Sequence, residues 1–322
     1  ILQEKIIYST EEITLVKMRG ILEVFEMKKF LILSVILIGF VVLGCNKPAA
    51  TGVPGKPQVV VSIPPYISIV KAIAGDTVNV QSVVPANFDP HTMEATPSQR
   101  EMIHNADLFI CIGELFEDKL IQTLHQENKG FSILQLNEKI PVLSYSETSN
   151  LVDACADTHI HLEAAQDVHF WLSPKRLPLQ ATVIADALTD LKPELGKTYS
   201  QNADAFIQQV QKLDDKIQQM LQGYQRKALL VPHSALGYFC FDYNLVQIAV
   251  ECEGKSPSPH DMTRVVDLAK HSNVVCAFSF PQFNNKGVEL ITAQLQVPTY
   301  SLDPEGEDIL GTLEQLATDI CR

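Results

Sequence analysis

Short, nearly unbroken runs of β-branched residues alternate with amphipathic stretches along most of this chain. Gln58 to Ile63 is the first such run, and Val78 to Val84 and Leu108 to Ile112 follow it. Runs without polar alternation suit strands buried on both faces, as in a parallel sheet. Between them, Tyr66 to Ala74, closed by Gly75, and Ser98 to Ala106 have helical spacing. The theme returns in the second half. Strands are predicted at Ala228 to Val231, Leu245 to Val250, Val274 to Phe278 and Val297 to Leu302, with helices at Met262 to Lys270, Lys286 to Leu295 and Asp308 to Asp319. Alternation of this kind predicts repeated β-α units.

The middle of the chain breaks the rhythm. Apolar residues recur at Leu195, Tyr199, Ala203, Phe206, Val210, Leu213, Ile217 and Met220, in steps of three and four. That is a single helical stripe. Pro193 suits its first turn and Gly223 its end, which gives a helix on the order of 44 Å long. No strand is paired with it in the pattern. The expected fold class is therefore α/β: two Rossmann-like lobes, 57–192 and 223–322, joined by one long, rigid helix over 193–222.

Met27-Lys28-Lys29 opens a different pattern. A positive start leads into an apolar run from Phe30 to Leu43, interrupted only by Ser34 and Gly39. This matches a secretory signal over 27–44 and is short for a membrane-spanning helix, which needs about 20 apolar residues. The run ends Val42-Leu43-Gly44-Cys45, which resembles a bacterial lipobox and predicts cleavage before Cys45 and lipidation of its sulfur. Residues 45–56, rich in Pro, Ala and Gly, read as a flexible tether. Residues 1–26 carry no motif and read as upstream sequence or a disordered extension. The predicted location is periplasmic or at the cell surface, lipid-anchored to the membrane.

Charge narrows the partners. The net charge of −13 belongs entirely to the exported part, because residues 1–44 hold five basic and five acidic groups. An acidic surface argues against nucleic acid. Seven cysteines are present, none in a Cys-x-x-Cys pair, so a thiolate zinc site is not expected.

Candidate chemistry lies in four local frames. They are Asp89-Pro90-His91-Thr92, Asp167-Val168-His169-Phe170-Trp171-Leu172, Val231-Pro232-His233-Ser234 and Ser301-Leu302-Asp303-Pro304-Glu305-Gly306. Three imidazoles and one carboxylate suit a divalent metal of the zinc kind. His91, His233 and Asp303 each follow a predicted strand, at the edge where open α/β sheets bind ligands. His169 lies just before a helix opened by Pro174. Ligands from both lobes would put the ion in the cleft between them. A catalytic zinc keeps an open position and a nearby base. No His-Glu-x-x-His or Gly-x-Ser-x-Gly motif accompanies these residues, and four protein ligands leave no place for a substrate.

These frames, together with Asn105-Ala106-Asp107-Leu108-Phe109-Ile110, Ser256-Pro257-Ser258-Pro259 and Pro281-Gln282-Phe283, resemble the metal-binding lipoproteins of bacterial ABC importers for zinc and manganese. The resemblance implies His91, His169, His233 and Asp303 as metal ligands. It also implies two α/β lobes joined by a long helix, a cognate ABC permease as partner, a monomer, and no enzymatic activity. Zinc is the expected ion, with manganese or iron(II) as alternatives. A surface adhesin and a metallohydrolase are the other functional classes. A short segment with His159 and His161 stands where zinc members of the family often carry a His-rich loop, and reads either as a secondary collecting site or as a solvated loop. Zinc members also carry cysteines in frames matching Cys276 and Cys321, implying a disulfide. Two departures stand out: Ser173 and Phe280 occupy places where the family often has Asp and usually has Glu.

Overall fold

The apolar runs pair into two parallel sheets of four strands each. In the computed structural model, which describes residues 55–126, 132–148, 166–251 and 258–322, β1 (Gln58–Val61), β2 (Asn79–Ser82), β3 (Leu108–Cys111) and β4 (Ser132–Gln135) form the first sheet in the order β2-β1-β3-β4. Val60 lies opposite Gln81 on one side and Phe109 on the other. The second sheet repeats that order with β5 (Ala228–Val231), β6 (Val246–Ala249), β7 (Val274–Ser279) and β8 (Thr299–Ser301), arranged β6-β5-β7-β8. All residues of β3 and β5 are buried, as unbroken apolar runs require. The signal segment 27–44, residues 1–26, Cys45 with most of the tether, His159, His161, Cys155 and Cys252 lie outside the described residues.

Helices fill the gaps. They are α1 (Pro65–Ala74), α2 (Pro97–His104), α3 (Leu115–Gln126), α4 (Tyr145–Thr148), α5 (Leu177–Leu191), α6 (Gly196–Met220), α7 (Gly237–Tyr243), α8 (Pro259–His271), α9 (Lys286–Leu295) and α10 (Ile309–Ile320). Their ends follow local chemistry. Gly75 closes α1 at a φ of +53°, a conformation open to glycine. Thr96 with Gln99, and Ser258 with Asp261, form capping boxes that satisfy the first N–H groups of α2 and α8. The helix expected after Pro174 begins at Leu177, with Pro178 in its first turn.

The long stripe is α6. Its first turn, Pro193–Leu195, is a 3₁₀ segment, and the α-helix proper runs for 25 residues, about 38 Å. Tyr199, Ala203, Phe206, Val210, Leu213 and Ile217 are its buried positions, the same stripe the sequence marks. It packs on α5 and α1 from the first lobe and on α10 from the second. Polar ties run both ways. Asn202 donates to the carbonyl of Ile73 at 2.8 Å, and the hydroxyls of Tyr199 and Thr77 lie 2.7 Å apart. On the other side Tyr243 donates to Asp214 at 2.5 Å, and Lys216 pairs with Glu314.

One expectation is corrected. Cys276 and Cys321 are free thiols rather than a disulfide. The Cys321 thiol donates to the carbonyl of Met220 at 3.3 Å, so it is turned toward the end of α6. Cys276 is buried in β7, where loss of solvent pushes its thiol up to about 12.

Candidate metal centre

Three imidazoles meet at one point. The Nε2 atoms of His91 and His169 are 3.3 Å apart, those of His91 and His233 are 3.0 Å apart, and those of His233 and His169 are 3.1 Å apart. Four ligands placed tetrahedrally at about 2.0–2.1 Å from zinc stand roughly 3.3–3.4 Å from one another. The three nitrogens thus already lie near the edge length such a site needs. Among the described residues, this is the one group of three or more metal-ligating side chains gathered within 4.8 Å.

Each imidazole is held by a carboxylate on its other nitrogen. His91 Nδ1 lies 3.1 Å from Glu114 Oε2 and His169 Nδ1 lies 2.7 Å from Asp167 Oδ1, while His233 Nδ1 is paired with Glu251. An acceptor at Nδ1 fixes the proton there and leaves the Nε2 lone pair for a cation. Lone pairs aimed at one point repel one another, and a shared positive ion removes that repulsion. Phe283 stacks on the His233 ring at 4.5 Å and 5°, and Trp171 lies against His169 at 5.2 Å, so the rings cannot swing away.

Local sequence explains each placement. Asp89 caps the 3₁₀ turn Pro90–Thr92 by accepting from the His91 N–H. Asp167 accepts from both the backbone N–H and Nδ1 of His169. His233 leaves the carboxyl end of β5, and Glu114 and Glu251 leave those of β3 and β6, the edge at which such sheets bind ligands. Gly237 lets α7 approach: a Cβ there would stand 2.7 Å from Thr148 and 2.9 Å from Asp167 Oδ2.

Burial sets the electrostatics. His169 and His233 are buried, and His91 is half-buried, so the site opens on the His91 side. Loss of solvent, and then the charges of His91 and His169, hold His233 well below the usual histidine range. For His91, burial works the same way, but the hydrogen bond and charge of Glu114, together with the charges of Asp89 and Glu305, outweigh it and the net shift is upward.

The fourth expected ligand stands apart. Asp303 is outside the cluster of three; its Oδ1 accepts from the Gln282 amide at 2.6 Å and from the Glu305 N–H at 3.0 Å. Both bonds fall on one oxygen, so Oδ2 carries neither. Trp171 pins the same loop by donating to the carbonyl of Pro304 at 2.9 Å. Glu305, in the same frame as Asp303, is a neighbour to which the sequence assigned no role. It is buried, its Oε2 has no hydrogen-bond partner, and burial, against the pull of His91, pushes its carboxyl up to about 9. Its only signal in the sequence is its place beside Asp303. Glu114 and Glu251 were missed as well, because they join their histidines only through the fold.

Comparison with known proteins agrees with this geometry. Residues 59–320 match the family described as zinc-uptake complex component A, periplasmic. A Chlamydia muridarum protein described as metal-binding is 32% identical over 269 residues, covering 83% of this chain and 91% of that protein. The zinc-uptake protein ZnuA of Yersinia pestis is 28% identical over 270 residues, covering 78% and 84%. A solved structure of a zinc-bound ZnuA deletion mutant aligns with a TM-score of 0.72 at 33% identity, covering 83% of this chain and 97% of that one. The chain belongs to the ZnuA family of zinc-uptake complex component A proteins.

Proposed function

We propose that this protein captures zinc outside the cytoplasm and passes it to the permease of an ABC importer. The observation that carries this reading is the convergence of three Nε2 atoms, each backed by a carboxylate. Nitrogen-rich ligands favour zinc over manganese, and the matching family and the Yersinia pestis relative are described as zinc-uptake proteins. Asp303 supplies the fourth ligand, through the oxygen that Gln282 and Glu305 leave uncommitted. A closed set of four protein ligands suits a carrier rather than a hydrolase, which keeps a position open for water. His159 and His161 form a weaker collecting site outside this set.

Competition against a zinc chelator tests the assignment. His91→Ala, His169→Ala, His233→Ala and Asp303→Ala should each weaken binding by more than the roughly 10- to 100-fold that loss of an outer partner costs. The double change His159→Ala with His161→Ala should leave the tight site intact. Tight binding by His169→Ala or His233→Ala would reject the site.

The protein acts as a monomer, tethered through acyl chains on Cys45. Stable anchoring takes more than one chain. Mass spectrometry of membrane-extracted protein should find an acylated peptide that begins at Cys45. An unmodified mature N-terminus elsewhere would remove the anchor from the proposal.

A further inference from the structure

We infer that Asp242 is a positioning residue of the metal centre: with Ser173 and Arg176 it forms a buried latch between the lobes that fixes His169 relative to His233. The inference rests on the zinc-binding reading above. It starts from the departure at position 173, where a serine stands in place of the aspartate common in the family this chain resembles.

In the structure a carboxylate reaches that place from the other lobe. Asp242, near the end of α7, accepts from the Ser173 hydroxyl through Oδ2 and from Arg176 Nη1 through Oδ1 at 3.1 Å. Arg176 Nη1 also donates to Ser173 Oγ at 3.2 Å. The Asp242 side chain is 4% exposed and that of Arg176 16%. An ion pair so placed is costly to break, because one partner removed leaves the other buried and uncompensated. Lys175 adds a bond to the backbone carbonyl of Asp242 at 2.7 Å.

The latch connects to the ligands through Tyr238. The Arg176 guanidinium lies 4.5 Å over the Tyr238 ring, close enough for a cation–π contact. The Tyr238 hydroxyl donates to the carbonyl of Asp167 at 2.8 Å and accepts from the Leu143 N–H at 2.7 Å. Asp167 in turn holds both nitrogens of the His169 residue that face it. At its other end α7 begins four residues after His233, whose carbonyl accepts from Ala235 at 2.8 Å. One continuous polar path thus runs from the segment bearing His169, across the lobe boundary, to the helix that follows His233. Small displacements of a ligand are expensive in a site that needs fixed distances.

Two variants separate a cross-lobe tie from simple neutralisation of Arg176. Asp242→Asn removes the charge. Ser173→Asp combined with Asp242→Asn gives Arg176 a carboxylate three residues away in its own lobe but removes its ion pair across the lobe boundary, leaving the bonds of Tyr238 to Asp167 and Leu143 in place. Zinc affinity by chelator competition, the absorption spectrum of the cobalt(II)-loaded protein, and the melting temperature of the metal-free protein would be measured for both. Asp242→Asn should lower zinc affinity about tenfold, as loss of an outer partner does, and change the cobalt(II) spectrum. The double variant should regain melting temperature but not affinity. Wild-type affinity in Asp242→Asn, or full recovery of affinity in the double variant, overturns the latch while leaving the zinc site standing. A wild-type protein that takes up no zinc rejects the zinc reading and the latch with it.

Discussion

At the residue scale, the histidines were legible and most of their supports were not. His91, His169 and His233 announce themselves through proline-, tryptophan- and serine-bearing frames, and Asp167 sits two residues from its histidine. Glu114 and Glu251 lie 23 and 18 residues from theirs, so only the sheets bring each pair together. Those carboxylates raise the basicity of the ring they face and hold its orientation. Glu114→Gln, Asp167→Asn and Glu251→Gln should each reduce zinc affinity by about 10- to 100-fold without abolishing it, because the three Nε2 ligands remain. Asp167→Asn should also lower the melting temperature, since Asp167 is buried and accepts two N–H bonds from His169. Chelator competition and thermal melting of the metal-free variants would measure both effects. Unchanged affinity in all three would show that the carboxylates are incidental to the site.

At the element scale, most strands, the edge strands β2, β6 and β8 among them, and the long stripe were readable, whereas β4 and the shortest helices were not. β4 is only Ser-Ile-Leu-Gln and half exposed at the sheet edge, and α7 is seven residues long, too short for a period to show. The turn between β3 and α3 is another feature hidden from sequence. There Glu117 folds back to accept from the N–H groups of Ile112, Gly113 and Glu114, at 2.6–3.1 Å. It thereby sets the backbone of Glu114, the partner of His91. Gly113 makes the turn possible with a φ of +102° and a Cβ position only 2.7 Å from Asn137. Burial outweighs the backbone donors and pushes the Glu117 carboxyl from 4.5 up to about 7. A folded state that holds a proton more tightly than the unfolded chain loses stability as pH rises. The contribution is complete below about pH 4.5 and fades as pH passes through about 7. Chemical denaturation of the metal-free protein across that range should show this slope, and Glu117→Gln should make it shallower, leaving the share of Glu305, whose carboxyl is also raised, to about 9. The same slope in the variant would assign it to other groups.

At the scale of the whole molecule, the pattern predicted two lobes and a stiff helix between them, and the packing explains the stiffness. A helix of 25 residues could be a free strut, but α6 is buried along one face and tied at both ends. Tyr199 and Asn202 bind it to Thr77 and Ile73 in the first lobe, while Asp214 and Lys216 bind it to Tyr243 and Glu314 in the second. Hinged closure needs a few residues free to absorb large backbone rotations. An α-helix cannot do so without breaking its own hydrogen bonds. On the proposed function, metal uptake then proceeds by small local adjustments: the Asp303 loop moving toward three imidazoles already at ligand spacing, and side chains at the half-exposed His91 making way. Solution X-ray scattering with and without zinc should therefore give nearly equal radii of gyration for the exported domain. Hydrogen exchange should show metal-dependent protection around 303–306 and 89–92 rather than along α6. A clear contraction on zinc binding, with new protection within 196–220, would show that the helix bends and that the lobes close upon their cargo.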